Sequence, residues 1–242
     1  MIRGEHGKLR YYAEPASSNG KPIVIHLHGT GERHTTNLDN VLRYGPLKLI
    51  KDGVKLPEAT YVQPQLSSGN WDVNEINKLF SHILGMYTGD PNRQHLMGVS
   101  LGGYGARNFL ASQYAARLAS AVLMSPGGGK WGDVQINTIA NVGVPLWISH
   151  ATNDKTNGAL YGTSDDAVKR LRARGTKAEL RFTTFGLSGH STGSAWGRFM
   201  TPDNFYLWDW MNAQSKYQQP IAPVDVNLEA IKNKLFDFIQ TL

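Results

Sequence analysis

Short apolar runs recur along the chain and alternate with longer segments of helical periodicity. The runs are rich in valine, isoleucine and leucine and are bounded by turn residues, which is typical of strands buried on both faces of a sheet. They predict strands at residues 22–27, 59–64, 94–97, 120–125, 144–150 and 178–185. An alternating segment at residues 8–12 predicts a further strand at the edge of the sheet.

The segments between these runs place apolar side chains on one face of a helix. They predict helices at residues 40–51, 71–87, 106–118, 164–174 and 202–213. Because strands and helices alternate from residue 22 to residue 213, the sequence predicts an α/β protein. Its expected architecture is a mostly parallel central sheet flanked by helices on both faces.

The end of the chain has a different pattern. Residues 214–226 form a polar spacer that contains proline, and residues 227–242 place leucine, isoleucine and phenylalanine on one helical stripe. We therefore predict an α/β domain at residues 1–213, followed by a spacer and an amphipathic C-terminal helix at residues 214–242. This helix has two interpretations: it packs on its own domain, which is favoured, or it forms a homodimer contact or a link to a further domain.

The composition of the 242 residues is that of a globular protein, with 40% hydrophobic and 18% charged residues. No apolar run has the length of a membrane span, which predicts no membrane partner. The first residues lack the apolar stretch of a signal peptide, which predicts a cytoplasmic location unless a signal has been removed from a secreted protein. Cysteine is absent, so disulfides, thiolate metal sites and a cysteine nucleophile are excluded.

The net charge of +6 comes from basic residues that are scattered, apart from a cluster at residues 169–174. We interpret this cluster as a solvated helix face rather than a nucleic-acid site. The spacing of Glu32, His34 and Asp39 is not that of a zinc site, and the glycine-rich loops that hold dinucleotides or phosphates do not occur. The sequence thus predicts no nucleic-acid partner, no metal and no cofactor.

The segment Gly98-Val99-Ser100-Leu101-Gly102 has the pattern G-x-S-x-G. It follows an apolar run and precedes a helical segment, which is the strand, sharp turn and helix of a nucleophile elbow. The glycines relieve crowding around a serine held in strained backbone angles, so the hydroxyl projects from the sheet. The same pattern also occurs by chance, so its interpretation depends on partner residues.

A serine hydroxyl is a weak nucleophile that needs a base, and the base needs an orienting group. In enzymes with this elbow, an acid and then a histidine follow the serine along the chain. Asp154 follows a buried strand and His190 lies in the loop after the next strand, so both are expected at the carboxyl edge of the sheet with Ser100. Asp133, which lies one strand earlier, is the alternative acid, and Asp154 is favoured.

The tetrahedral intermediate of acyl transfer needs N–H donors for its oxyanion. One donor is the residue after the nucleophile, here Leu101, and the other comes from a loop after an earlier strand. Residues 28–31 form a His-Gly-Thr-Gly loop of this kind. Thr30 is the predicted second donor, Gly31 is the alternative, and His28 is expected to support the loop.

Three blocks of the sequence resemble the predicted-peptidase and esterase branch of the α/β-hydrolases. They are Asp-Pro-Asn-Arg at 90–93 with the G-x-S-x-G-G segment at 98–103, Leu-His-Gly-Thr-Gly-Glu-Arg at 27–33, and Gly-His at 189–190 with the aromatic segment at 206–210. That branch is related to feruloyl and acetylxylan esterases and to polyhydroxybutyrate-depolymerase-like enzymes. The resemblance implies the α/β-hydrolase fold and ester hydrolysis through an acyl-enzyme. Ser100 would be the nucleophile, His190 the base and acid, and Asp154 the orienting group.

Trp71, Trp131 and Trp196 lie in or beside loops expected to shape the substrate pocket. They are candidates to stack on a sugar or aryl group, and ordinary packing is the equal alternative. The sequence favours a serine carboxylesterase that acts on a small-molecule or carbohydrate ester. A peptidase or amidase with the same triad, and an inactive binding module on the same fold, are the alternatives.

Overall fold

The computed structural model describes residues 1–186, 189–190 and 205–216. Its strands, in chain order, are β1 (Ile2–His6), β2 (Leu9–Glu14), β3 (Ile23–Leu27), β4 (Thr60–Gln65), β5 (Gln94–Val99), β6 (Ser120–Met124), β7 (Leu146–Ala151) and β8 (Leu180–Phe185). They form one eight-stranded sheet in the order β1-β2-β4-β3-β5-β6-β7-β8. β2 is antiparallel to β1 and β4, and the other neighbours are parallel.

Helices lie against both faces of this sheet. In the described ranges they are α1 (Pro46–Lys51), α2 (Val73–Met86), α3 (Leu101–Leu110), α4 (Asp133–Val142), α5 (Tyr161–Ala173) and α6 (Phe205–Ala213), with 3-10 turns at Thr30–Glu32, Leu38–Arg43 and Ala115–Arg117. The apolar side chains of α2 to α5 form one core layer, and those of α1 and α6 belong to the other. The predicted α/β class and mostly parallel sheet are confirmed.

The central strands are continuous apolar runs because both of their faces are buried. Ile23, Ile25 and Leu27 of β3 pack in the layer of α2 to α5, whereas Val24 packs in the opposite layer. Parallel pairing keeps the carboxyl ends of β3, β5, β6, β7 and β8 at one edge of the sheet. Loops that leave these five strands therefore meet at that edge.

The expected position of residues 8–12 at the edge of the sheet is wrong, and helix α4 is not among the predicted helices. Residues 8–12 belong to β2, which is covered on its outer side by β1. β1 is polar and mostly exposed, so it carries no hydrophobic alternation from which a strand could be predicted. Helix α4 has a modest apolar face of Ile136, Ile139 and Ala140.

The helix predicted at residues 40–51 is divided into two parts. A 3-10 turn covers Leu38–Arg43, and α1 begins at Pro46. Gly45 separates them with a φ of 88°, a backbone conformation that favours glycine. Pro46 then suits the first position of a helix, where its missing N–H has no partner to lose.

The helix after the nucleophile motif begins and ends earlier than the predicted residues 106–118. Helix α3 covers Leu101–Leu110 and contains Gly102, Gly103 and Gly105, which have poor helix propensity. Packing explains their presence: a methyl group at Gly102 would lie 1.9 Å from the carbonyl oxygen of Leu27. The predicted helix begins at residue 106, so the prediction misses the tightly packed first turn.

The described ranges contain no helix that is both long and apolar enough to cross a membrane. Residues 217–242, with the C-terminal helix predicted there, lie outside the described residues. The domain division at residue 213 and the homodimer contact stay predictions.

A methyl group added at Gly102 tests how tightly α3 packs. We expect Gly102→Ala to lower the free energy of unfolding by about 3 kcal/mol, because backbone atoms must move to admit the new side chain. Gly85→Ala is the matched control, since Gly85 lies in α2 with no atom within 4 Å of the added methyl group. That control should gain up to ~1 kcal/mol from better helix propensity. Denaturant titration measures both, and equal effects of the two substitutions would contradict the packing argument.

Candidate active site

Ser100 lies between β5 and α3 in a strained backbone conformation, with φ of 53° and ψ of −113°. Its N–H donates to the carbonyl oxygen of Met124 at 3.0 Å, and its own carbonyl oxygen accepts from the N–H of Gly127 at 2.8 Å. A methyl group at Gly98 would lie 2.2 Å from the carbonyl oxygen of Gly102, so glycine is required on both sides of the turn. This is the geometry expected of the nucleophile elbow.

The side chains of Ser100, His190 and Asp154 meet at the carboxyl edge of the sheet. The distance from Ser100 Oγ to His190 Nε2 is 2.7 Å, and that from His190 Nδ1 to Asp154 Oδ2 is also 2.7 Å. Nδ1 faces a carboxylate and therefore carries the ring proton, which leaves Nε2 to accept from the serine hydroxyl. Asp133, the alternative acid, is exposed and pairs instead with Arg170.

The carboxyl group of Asp154 is fully buried and bound on both oxygens. Oδ1 accepts from the backbone N–H of Thr156 at 2.9 Å, and Oδ2 lies 3.0 Å from His150 Nε2 as well as close to His190. Burial alone would raise the pKa of Asp154, but hydrogen bonds from Thr156 and His190 outweigh burial and hold this pKa below its usual value. Asp154 is therefore a charged group, bound by hydrogen bonds, inside the protein.

The predicted oxyanion loop lies beside the serine. Thr30 begins the 3-10 turn after β3, and a methyl group at Gly29 would lie 3.5 Å from Ser100 Cβ. Leu101 is the first residue of α3, so its N–H has no partner within the helix. The structure thus brings the loop of Thr30 and the N-terminus of α3 to the same side chain.

His28 connects this loop by hydrogen bonds to the end of the neighbouring strand β4. Its Nδ1 lies 2.6 Å from the carbonyl oxygen of Gly29, and its Nε2 lies 3.0 Å from the N–H of Leu66. The first contact needs a donor and the second an acceptor, so the ring is neutral with the proton on Nδ1. Burial lowers the pKa of His28 to about 4, in agreement with a neutral ring. This arrangement agrees with the supporting role expected of His28.

Solved structures share this arrangement of sheet and helices. A thermostable esterase matches at 20% sequence identity and a TM-score of 0.65, over 86% of this chain and 59% of the esterase. The acylaminoacyl peptidase of Pyrococcus horikoshii matches at 14% identity and a TM-score of 0.65, over 96% of this chain and 43% of the peptidase. A sugar hydrolase from Lactococcus lactis matches at 15% identity and a TM-score of 0.62, over 87% of this chain and 96% of the hydrolase.

The chain has the α/β-hydrolase fold. No protein-family model and no curated protein matches its sequence. The chain spans about half the length of the esterase and peptidase it resembles, and at this level of identity the likeness extends to the fold alone. The predicted fold is confirmed.

The tryptophans predicted to bind substrate have different surroundings. Trp131 is fully buried, with the guanidinium of Arg107 at 5.2 Å from its ring centroid, so the stacking hypothesis is wrong for this residue and packing describes it. Trp71 is 4% exposed and donates its indole N–H to the carbonyl oxygen of His28. Trp71 therefore supports the loop at residues 28–31, and Trp196 lies outside the described residues.

Glu32, for which the sequence predicts no role, is a buried acid in the block at residues 27–33. It is 6% exposed, and Gln65 Nε2 donates to its backbone carbonyl oxygen at 3.1 Å. Burial raises the pKa of Glu32, although Arg43 and the backbone N–H groups of Gly29 and Glu32 act in the opposite direction. The block at residues 27–33 contains Glu32, but its local pattern does not indicate that this side chain is buried. In the part of the chain that the structure describes, no cluster of three metal-binding side chains occurs.

Replacing Glu32 by glutamine tests its buried charge. Because the pKa of Glu32 is higher in the folded state than its ordinary value of 4.5, the folded state binds the proton more tightly and loses stability as the pH rises through this range. We expect Glu32→Gln to remove this loss, so the free energy of unfolding falls less between pH about 5 and pH about 8 than in the wild type.

Glu58→Gln is the control, because the pKa of Glu58 is shifted in the direction opposite to that of Glu32. Hydrogen bonds from Ser17 hold the pKa of Glu58 below its ordinary value, so this exposed acid stabilises the folded state when ionised. Its removal should therefore abolish a gain in stability with rising pH. Denaturant titrations at pH about 3, about 5 and about 8 compare the variants, because the effect of Glu58→Gln is expected below pH about 5 and that of Glu32→Gln above it. An unchanged pH dependence of Glu32→Gln between pH about 5 and about 8 would refute the argument.

Proposed function

We propose that this α/β-hydrolase chain is a serine hydrolase that cleaves carboxylic esters through an acyl-enzyme. The observation that carries the proposal is the continuous hydrogen-bonded series from Ser100 Oγ through His190 to the buried carboxylate of Asp154. A serine, a neutral histidine with its acceptor nitrogen toward the hydroxyl, and an ionised acid behind it are the parts that serine activation requires. A bare binding module has no need of this series.

In the proposed reaction, His190 Nε2 takes the hydroxyl proton as Ser100 Oγ attacks the carbonyl carbon of the ester. The carbonyl oxygen becomes an oxyanion, which accepts hydrogen bonds from the N–H groups of Leu101 and Thr30. When the intermediate collapses, the bond to the alcohol oxygen breaks and His190 returns the proton to that oxygen. The serine then carries the acyl group, and the alcohol leaves.

Hydrolysis of the acyl-enzyme repeats these steps with water as the nucleophile. His190 removes a proton from the water as its oxygen attacks the acyl carbon, and the proton then passes to Ser100 Oγ as the acid is released. Asp154 stays ionised throughout, because it orients the imidazole and stabilises the imidazolium that forms in each half of the reaction. No other reactant is required.

Esters are the favoured substrates because the sequence blocks around Ser100 and Thr30 resemble those of esterases, and the expected substrate is a small-molecule or carbohydrate ester. A thermostable esterase and a sugar hydrolase are among its structural neighbours, which is compatible with this choice. A peptidase or amidase activity is the second candidate, since an acylaminoacyl peptidase is also a neighbour. Turnover of an ester and an amide with the same acyl group distinguishes the two.

Replacing the nucleophile tests the proposed function. We expect the wild type to hydrolyse p-nitrophenyl acetate and to be labelled by a fluorophosphonate, and Ser100→Ala to lose labelling and at least ~10³-fold in kcat. Ser125→Ala is the matched control, because Ser125 also follows a strand with a positive φ, of 43°, and its buried hydroxyl has no hydrogen-bond partner among the described residues. The control should retain both properties. Absence of labelling and of turnover of any short ester by the wild type would overturn the proposal.

A further inference from the structure

A second histidine lies behind the proposed catalytic acid. His150, near the end of β7, is fully buried, and its Nε2 lies 3.0 Å from Asp154 Oδ2 and 3.0 Å from the carbonyl oxygen of Ala159. Its Nδ1 lies 2.8 Å from Ser164 Oγ.

These contacts determine the tautomer of His150. Both groups near Nε2 are acceptors, so Nε2 carries a proton and donates to them. Burial lowers the pKa of His150, although Asp154 and the Ala159 carbonyl act in the opposite direction, so the ring is neutral. Nδ1 is then an acceptor, and the hydroxyl of Ser164 donates to it.

His150 and His190 bind the same oxygen of Asp154. His190 Nδ1 lies 2.7 Å from Oδ2 and His150 Nε2 lies 3.0 Å from it, while Oδ1 accepts from the N–H of Thr156. Rotation of the carboxylate about its Cβ–Cγ bond would break all three hydrogen bonds at once. The buried Nε2–H of His150 and the backbone N–H of Thr156 thus determine which direction Oδ2 faces before His190 binds to it.

We propose that His150 is a positioning residue: its Nε2–H fixes the carboxylate of Asp154 in the orientation that aligns His190 with Ser100. This inference rests on the proposed function, because it assigns His150 a part in the same reaction. His150 touches neither the serine nor a substrate in this role and acts through Asp154. Its loss therefore reduces the rate of the chemical step, through poorer alignment of the base, and leaves substrate binding unchanged.

Two amide substitutions distinguish the contributions of the two ring nitrogens of His150. In His150→Asn the amide is close to the position of Nδ1, so it keeps the contact with Ser164 and cannot reach Asp154. In His150→Gln the amide extends to the position of Nε2, so its N–H group is able to donate to Asp154 Oδ2. Both variants replace the imidazole ring with a carboxamide, so the loss of the ring from the core is common to the two.

We expect His150→Asn to lower kcat for p-nitrophenyl acetate roughly 10- to 100-fold with KM unchanged, and His150→Gln to recover most of this loss. Fluorophosphonate labelling should slow in the same order. The control is His95→Asn, since His95 is also buried in a strand with its Nδ1 2.9 Å from a serine hydroxyl, that of Ser120. It should keep the kcat of the folded wild type, and circular dichroism confirms that each variant is folded.

The outcomes distinguish this inference from the proposed function. If the wild type hydrolyses esters and His150→Asn has the same kcat, or if the Asn and Gln variants lose the same amount, His150 has a structural role only and the inference is wrong. If His150→Asn does not fold, His150→Gln decides the question. A folded Gln variant whose kcat is as low as the value expected for His150→Asn would refute the role of the Nε2 donor. A wild type without turnover or labelling overturns the proposed function itself, and the inference with it.

Discussion

The close packing of helix α3 on strands β3 and β5 is the constraint on which the site depends. A methyl group at Gly102 would lie 1.9 Å from the carbonyl oxygen of Leu27, and one at Gly98 would lie 2.2 Å from the carbonyl oxygen of Gly102. Backbones this close bring the start of α3 level with the end of β3, so the loop that carries Thr30 faces Ser100. The same contacts sustain the positive φ of Ser100, because the turn has no room to relax.

The parallel sheet supplies the rest of the site from distant parts of the chain. Ser100 follows β5, Asp154 follows β7 and His190 follows β8, and the carboxyl ends of these strands lie at one edge. The core layers on both faces fix the strands, so short hydrogen-bonded turns are enough to direct the side chains that follow the strands. The turn that returns Asp154 toward β7, closed by its N–H to the carbonyl oxygen of Ala151, is one of these.

The features that the sequence predicts have a local signature, and those that it does not predict depend on distant contacts. Buried strands such as Ile23–Leu27 are continuous apolar runs, and the elbow has a fixed pattern around Ser100. Strand β1, by contrast, is polar, and its strand structure comes from pairing with β2. Glu32 is buried where Gln65 of another strand donates to its backbone carbonyl oxygen, and no local pattern of residues 28–33 encodes this contact.

The buried His150 explains how Asp154 is oriented without losing its charge. A protonated His150 would neutralise the carboxylate and reduce its attraction for an imidazolium at His190. Burial keeps His150 neutral, so it donates a hydrogen bond to Asp154 and adds no positive charge. His28 supports the predicted oxyanion loop in the same neutral state. Orientation therefore comes from neutral groups, whereas the negative charge stays on Asp154, where it stabilises the positive charge that develops on His190 in the proposed reaction.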